Sequence, residues 1–172
     1  MGVAGYSEIA RILGLNSVAE RYADIAKKMA MKWEEMANEG DHYRLAFDRN
    51  NTWSQKYNII WDKMWNLNIF PNNVISKEIN YYLTKQNLYG LPLDSRRDYT
   101  KPDWIMGTAA MSPNREIFEK FVDPLYKYIN ETTSRVPISD WHDTKTGRMT
   151  GFKARSVIGG YWIQVLMDKM NH

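Results

Sequence analysis

Three aspartates close short, related strings in this chain: LAFD at Asp48, LPLD at Asp94 and PISD at Asp140. They recur at an interval of 46 residues, a period at which two-helix repeats are found. Carboxyl groups offered from several places on one face can carry out acid–base hydrolysis, one holding a proton for the leaving group while another stays ionised. Each can equally close a turn or cap a helix, which Asp does through its own backbone. Asp94 has the most charged surroundings, with Arg96, Arg97, Lys101 and Asp103 close in sequence. Such crowding either fixes a carboxylate's protonation state or forms an ion-pair network.

Flanking segments add aromatics and amides. In TWSQKYN, Trp53 and Tyr57 lie one helical turn apart and Gln55 and Asn58 three residues apart, so both kinds of side chain can line a pocket at a helix start. A helix N-terminus also offers free N–H groups to an anionic carboxylate. Alternatively, the segment is a cap with both rings packed inward. Ser54 has no adjacent base or elbow motif and is not read as a nucleophile. In SDWHDTKTG, Trp141 beside Asp140 and Asp143 resembles a sugar platform with acids at hand, and Thr144 to Gly147 reads as a plain turn. His142 is read as a solvated loop histidine able to titrate near neutrality. Arg155 either anchors an acidic loop or binds a substrate carboxylate. The catalytic candidates are thus Asp94, Asp140 and Asp48. Those for substrate binding are Trp53, Gln55, Arg96, Asp103, Trp104, Trp141 and Arg155.

Composition narrows the chemistry. The 172 residues suit one domain with a substantial core. A net charge of +3, from 23 bases and 20 acids dispersed along the chain, provides no basic stripe for nucleic acid. No apolar run is long enough for a membrane span. With no Cys and only three scattered His, thiol chemistry and Cys- or His-rich metal sites are out of reach, and no cofactor is expected. Seven Trp and eleven Tyr can fill a core or line a sugar or small-molecule pocket. Met29, Met31, Met36 and Met64 are read as core filler.

Helical periodicity dominates, so the chain is read as all-α. Helices are expected at about Val3–Leu13, Asn16–Ala37, Thr52–Leu67, Asn73–Lys85, Pro102–Met111, Pro113–Glu131 and Arg155–Lys169. Capping boxes are expected at Ser17/Glu20, Thr52/Gln55 and Thr100/Asp103, and a Ser112 cap with Pro113 at the first helical position. A kink or break is expected at Pro124, and close backbone packing at Gly159-Gly160. Links near Gly14, Phe70-Pro71 and Ser112 are short, whereas those over 38–51, 86–99 and 132–154 are long. Short links join antiparallel neighbours, so the unit is a helical hairpin and the long loops share one end of the array.

Three strings then resemble the glutaminase A family: Lys32–Pro71, Tyr81–Met111 and Arg135–Trp162 occur in the family's order and span nearly the whole chain. More narrowly, they are similar to its C-terminal six-helical-hairpin domain. The resemblance implies an array of antiparallel hairpins forming about half of a glycosidase-like (α/α)6 toroid, with residues 1–172 as one portion of a larger multidomain hydrolase. It implies hydrolysis of glutamine to glutamate and ammonia, while the toroid itself points to glycoside hydrolases or to a non-catalytic carbohydrate-binding or structural module. It also implies a bacterial, secreted or periplasmic setting. The expected partners are a small-molecule or carbohydrate substrate and the remaining domains of the parent. A severed ring would be inactive alone and prone to self-association through apolar edges.

Overall fold

Small residues let the first two helices approach closely. The computed structural model describes residues 1–170. Helix α1 (Gly2–Ile12) buries Ala4, Ser7 and Ala10 against the Ala19/Ala26 side of α2 (Asn16–Ala37). The Ser7 hydroxyl donates to the Ala19 carbonyl at 2.6 Å. Gly14, at φ +74°, ends α1: its N–H bonds the Arg11 carbonyl while that of Leu15 reaches back to Ala10, the hydrogen-bond pair of a Schellman cap. Neither Ser17 nor any other side chain caps α2, so no capping box forms there. Along α2 the buried positions are Ala19, Ala26, Ala30 and Ala37. Met29, Met31 and Met36 are out of phase with that stripe and exposed; of the four methionines read as filler, only Met64 is buried.

The other hairpins are shorter than the periodicity suggested. Thr52 caps nothing: a 3₁₀ turn at Tyr57–Ile59 leads into α3 (Ile60–Met64). The segment before it is extended because it pairs with the next long loop through Ser54 and Asp94. The turn after α3 is held by buried Asp62, whose carboxylate accepts from the Ile69 and Phe70 N–H groups at 3.1 Å. Helix α4 (Asn72–Leu83) follows. After it come α5 (Pro102–Ala109), opened by proline, and α6 (Arg115–Glu131). The cap of α6 is Asn114, which accepts from the Ile117 N–H at 3.0 Å, not Ser112. Pro124 does not break α6. Its missing N–H leaves the Lys120 carbonyl free, and the Gln86 amide takes that carbonyl at 2.6 Å. The last helix begins as a 3₁₀ turn (Ser156–Trp162) and becomes α7 at Ile163–Met170.

The chain is therefore an all-α array of paired helices, in keeping with part of an α/α toroid. Its core joins α3 to α7 around Tyr82, Ile105, Phe121 and Leu125, with Tyr43 inserted from the first long loop. The only strands among the described residues are two-residue pieces, β1 (Tyr99–Thr100) and β2 (His142–Asp143), paired antiparallel with Tyr99 opposite Asp143. Single bridges extend them: Ser54 pairs with Asp94, Asp94 with Arg97, His142 with Met149 and Ser139 with Lys153. All three long loops are stitched into one thin layer by these contacts. No described helix is long and apolar enough to cross a membrane.

Gly160 seats the last segment on this layer. A Cβ there would lie 2.6 Å from the Asp103 Cβ and 3.2 Å from its Cα, whereas a Cβ at Gly159 would meet nothing within 4 Å. Close packing is thus a property of the second glycine alone. Gly160→Ala should destabilise by about 1–3 kcal/mol, the usual range for overpacking. Gly159→Ala should change stability by less than about 1 kcal/mol. Thermal unfolding of the two variants checks this difference.

Candidate functional site

Two charged centres lie on the loop layer. The first is built on Asp94. Its bridge to Ser54 is flanked by hydrogen bonds from Ser95 N–H to the Trp53 carbonyl (3.0 Å) and from Gln55 N–H to the Leu93 carbonyl (2.8 Å). That pattern makes Ser54 and Asp94 a narrow antiparallel pair with side chains on one face. The buried Asp94 carboxylate receives a fork from Arg96, Nε at 2.9 Å and Nη2 at 2.8 Å, together with the Arg96 N–H at 2.9 Å. The Arg96 side chain itself stays largely exposed. Beside this pair is a depression of about 300 Å³, lined by Trp53, Lys85, Asn87, Asp94, Arg96 and Asp98 among others.

The second centre is built on Asp140, which has no solvent exposure. Lys101, just before α5, reaches Oδ2 at 3.1 Å; Arg155, just before the 3₁₀ turn, reaches Oδ1 through Nε at 3.1 Å and Oδ2 through Nη2. Burial alone would raise the Asp140 pKa, but the hydrogen bonds from Arg155 and Lys101 outweigh it and hold the carboxyl below the ordinary range. Asp103 behaves oppositely. Burial, with the Asp140 charge adding to it, raises its pKa against the partial offset from Lys101 and Arg155. Its Oδ1 and the Tyr161 hydroxyl are both buried without a hydrogen-bond partner among the described residues. Aromatic rings enclose the cluster: Lys101 lies 4.4 Å from the Phe152 ring centre, Arg155 4.0 Å from it, and Trp141 stacks on Phe152. Two carboxyl groups pushed in opposite directions are the requirement for dividing acid and base roles.

The candidates read from sequence fall into distinct environments. Asp94 and Arg96 come together as expected, but Lys101 and Asp103 belong to Asp140, because β1 and Pro102 carry the chain away from Asp94. Arg155 anchors the acidic loop. Asp48 is exposed, with no polar partner among the described residues. Trp53 is buried in the core. Gln55 is fully engaged: its amide donates to the Leu91 and Pro92 carbonyls at 3.1 and 2.9 Å and accepts from the Thr108 hydroxyl at 3.0 Å. Trp104 stacks on Tyr57 at 4.0 Å, and Trp141 is partly exposed above Gly151. Thr144 to Gly147 does form a turn, held by the Asp143 carboxylate.

His142 is a correction. It is buried rather than solvated, stacked on Tyr128 at 3.6 Å, and its Nε2 donates to the Tyr89 carbonyl at 2.8 Å. Register explains this: His142 pairs with Thr100, facing inward in the layer. Sequence reasoning also passed over Lys56 and Glu78. Lys56 Nζ lies 3.0 Å from the Ser54 hydroxyl and 3.8 Å from Glu78. An Asp/Lys/Arg count cannot find such a pair, because Glu78 arrives from α4 by folding.

An all-α hairpin array with an ion-bearing loop layer is the class that fold and site define. The chain matches the glutaminase A six helical-hairpin domain over residues 1–165 and belongs to that family. It is 30% identical over 174 residues to glutaminase A of Aspergillus oryzae, covering 97% of this chain and 25% of that protein. A second relative, a probable glutaminase of Arthroderma benhamiae, is 26% identical over 204 residues, covering 98% of this chain and 23% of its own length. The chain thus spans about a quarter of the length of these curated relatives. Both are fungal, so they lend no support to a bacterial setting.

Burial drives the His142 pKa down to about 4, against a smaller opposing contribution from the Tyr89 hydrogen bond and the Asp143 charge. A histidine held neutral in the fold but free to protonate when unfolded stabilises the protein above about pH 6.5. That contribution should fall away as pH drops through about 4, reaching about 3 kcal/mol in all. His142→Gln should flatten this part of the profile, as measured by denaturant unfolding of both proteins across the window.

Proposed function

We propose that the loop layer forms part of the active face of a glutaminase A-like hydrolase acting on the carboxamide of glutamine. The observation that carries this is the mixed charge of the depression at Asp94, where Lys85, Arg96 and Arg97 stand among Asp94 and Asp98. A free amino acid presents one carboxylate and one ammonium, and a pocket offering both signs of charge close together suits it. Arg96 is already oriented by its fork on Asp94 and keeps exposed surface for a substrate carboxylate. The names of the two relatives support the amide substrate, and family membership supports a place in a hydrolase.

A second reading has its own observation. Asp140 held ionised, Asp103 pushed toward its protonated form and Trp141 alongside are the parts that glycoside hydrolysis uses. In that case Asp103 would supply the proton, and Trp141 or Trp104 would hold the sugar ring.

Calorimetric titration with L-glutamine and with simple glycans separates the two. The amide reading expects glutamine to bind and Arg96→Ala to weaken it by ~10-fold or more, the scale of a lost charge-assisted bond. Glycan binding that is lost in Trp141→Ala and indifferent to Arg96→Ala would instead support the second. Binding of neither ligand sinks both.

A further inference from the structure

We propose that Ser54 is a nucleophile, with Lys56 as its general base and Glu78 as the group that stabilises the resulting ammonium. The proposal deepens the amide-hydrolase reading by naming its attacking group; it depends on that reading for its substrate, not for its reactivity.

The geometry is that of an activated hydroxyl. Lys56 Nζ sits 3.0 Å from Ser54 Oγ, 2.9 Å from the Ser54 carbonyl and 3.1 Å from the Tyr43 carbonyl. A neutral amine has two N–H groups and one lone pair. In the protonated form the three N–H groups donate to these three oxygens; once Nζ is neutral, the two carbonyls keep the two N–H groups and the lone pair is left for the hydroxyl. Only 13% of the Lys56 side chain is exposed, and this burial lowers its pKa, with Glu78 and Asp94 partly opposing. Glu78 lies 3.8 Å from Nζ and is held by the Tyr43 N–H at 2.8 Å and by the Tyr82 hydroxyl. Burial raises its pKa, while the Lys56 charge and the hydrogen bonds from Tyr82 and Tyr43 oppose the rise and favour the carboxylate. A base beside a nucleophile, oriented by a third group, is the general arrangement for covalent catalysis. Ser54 is partly exposed and shares a face with Asp94, which lines the charged depression.

The reaction balances without any further reagent but water. Ser54 Oγ attacks the carboxamide carbon and its proton passes to Lys56. The C–N bond then breaks, Lys56 returns that proton to the departing nitrogen, and ammonia leaves an ester on Ser54. Water, deprotonated by Lys56, attacks the ester, and the C–O bond breaks with the proton going to Ser54 Oγ. The carboxylic acid is released.

Phenylmethylsulfonyl fluoride tests the dyad without needing a substrate. Intact mass and peptide mapping should show one sulfonyl adduct, on Ser54, formed faster as pH rises. Ser54→Ala should form none. Lys56→Arg keeps the charge but cannot act as a base at ordinary pH, and should slow labelling by ~100-fold. Glu78→Gln removes the charge favouring the ammonium and should move the midpoint of the labelling profile to lower pH. This gives a second readout if Lys56→Arg does not fold. No adduct on Ser54 overturns the proposal, as does an unchanged rate in folded Lys56→Arg or an unchanged midpoint in Glu78→Gln. Labelling without glutamine binding would leave the dyad standing and remove the substrate reading; glutamine binding without labelling would do the reverse.

Discussion

A carboxylate with no access to water must be compensated by charges brought to it, and Asp140 draws them from two separate parts of the chain. Lys101 comes from the entry to α5 and Arg155 from the entry to the last helix, so one buried anion ties three segments that are far apart in sequence. Truncating one member of such a buried group costs more than the group contributes as a whole, since the others are left uncompensated. The small ladder of β1, β2 and their neighbouring bridges extends from this point. Hydrogen bonding across extended pieces supplies registration, while the ion cluster fixes where the layer sits on the helices. Gly160 completes the fit by letting the last 3₁₀ turn close on Asp103.

The loop layer explains why charged groups are dense at one end of an otherwise ordinary helical array. Helices α1 and α2 meet through alanines and a serine, with no charge between them. At the loop end, by contrast, Lys56, Glu78, Asp94, Asp103 and Asp140 are buried in part or in whole. Each of these costs desolvation free energy and has to be met by partners. Most are, but Asp103, and the neighbouring Tyr161 hydroxyl with it, retain buried polar atoms without a partner among the described residues. Polar groups left in that condition have an uncommon freedom to engage something else. Family membership identifies the array that carries this layer as a glutaminase A six helical-hairpin domain.

The hairpin pattern was legible because it rests on local signals: the short link at Gly14 and the helix-opening Pro102 both act within a few residues. Long-range pairing was not. Thr52 and Gln55 have the spacing of a capping box, yet bridge formation at Ser54 keeps that segment extended until Tyr57. His142 looked like a loop residue because nothing nearby in sequence reveals that β2 pairs with β1. The three aspartates share a spacing but not an environment: Asp48 is exposed, Asp94 is held by its own neighbour Arg96, and Asp140 is enclosed by distant cations. Sequence adjacency identified the first ion pair correctly and misassigned Lys101, which only tertiary structure directs to Asp140.

Hydrogen exchange on Asp140→Asn tests most directly whether the layer depends on this ion cluster. Loss of the anion should leave Lys101 poorly compensated and open the layer locally, so amides around 99–100, 142–143 and 156–162 should lose protection. The α1–α2 hairpin, which shares no contact with the cluster in its described hydrogen bonds, should exchange as in the wild type. Unchanged protection in the three segments, or an equal loss in α1 and α2, would contradict the account.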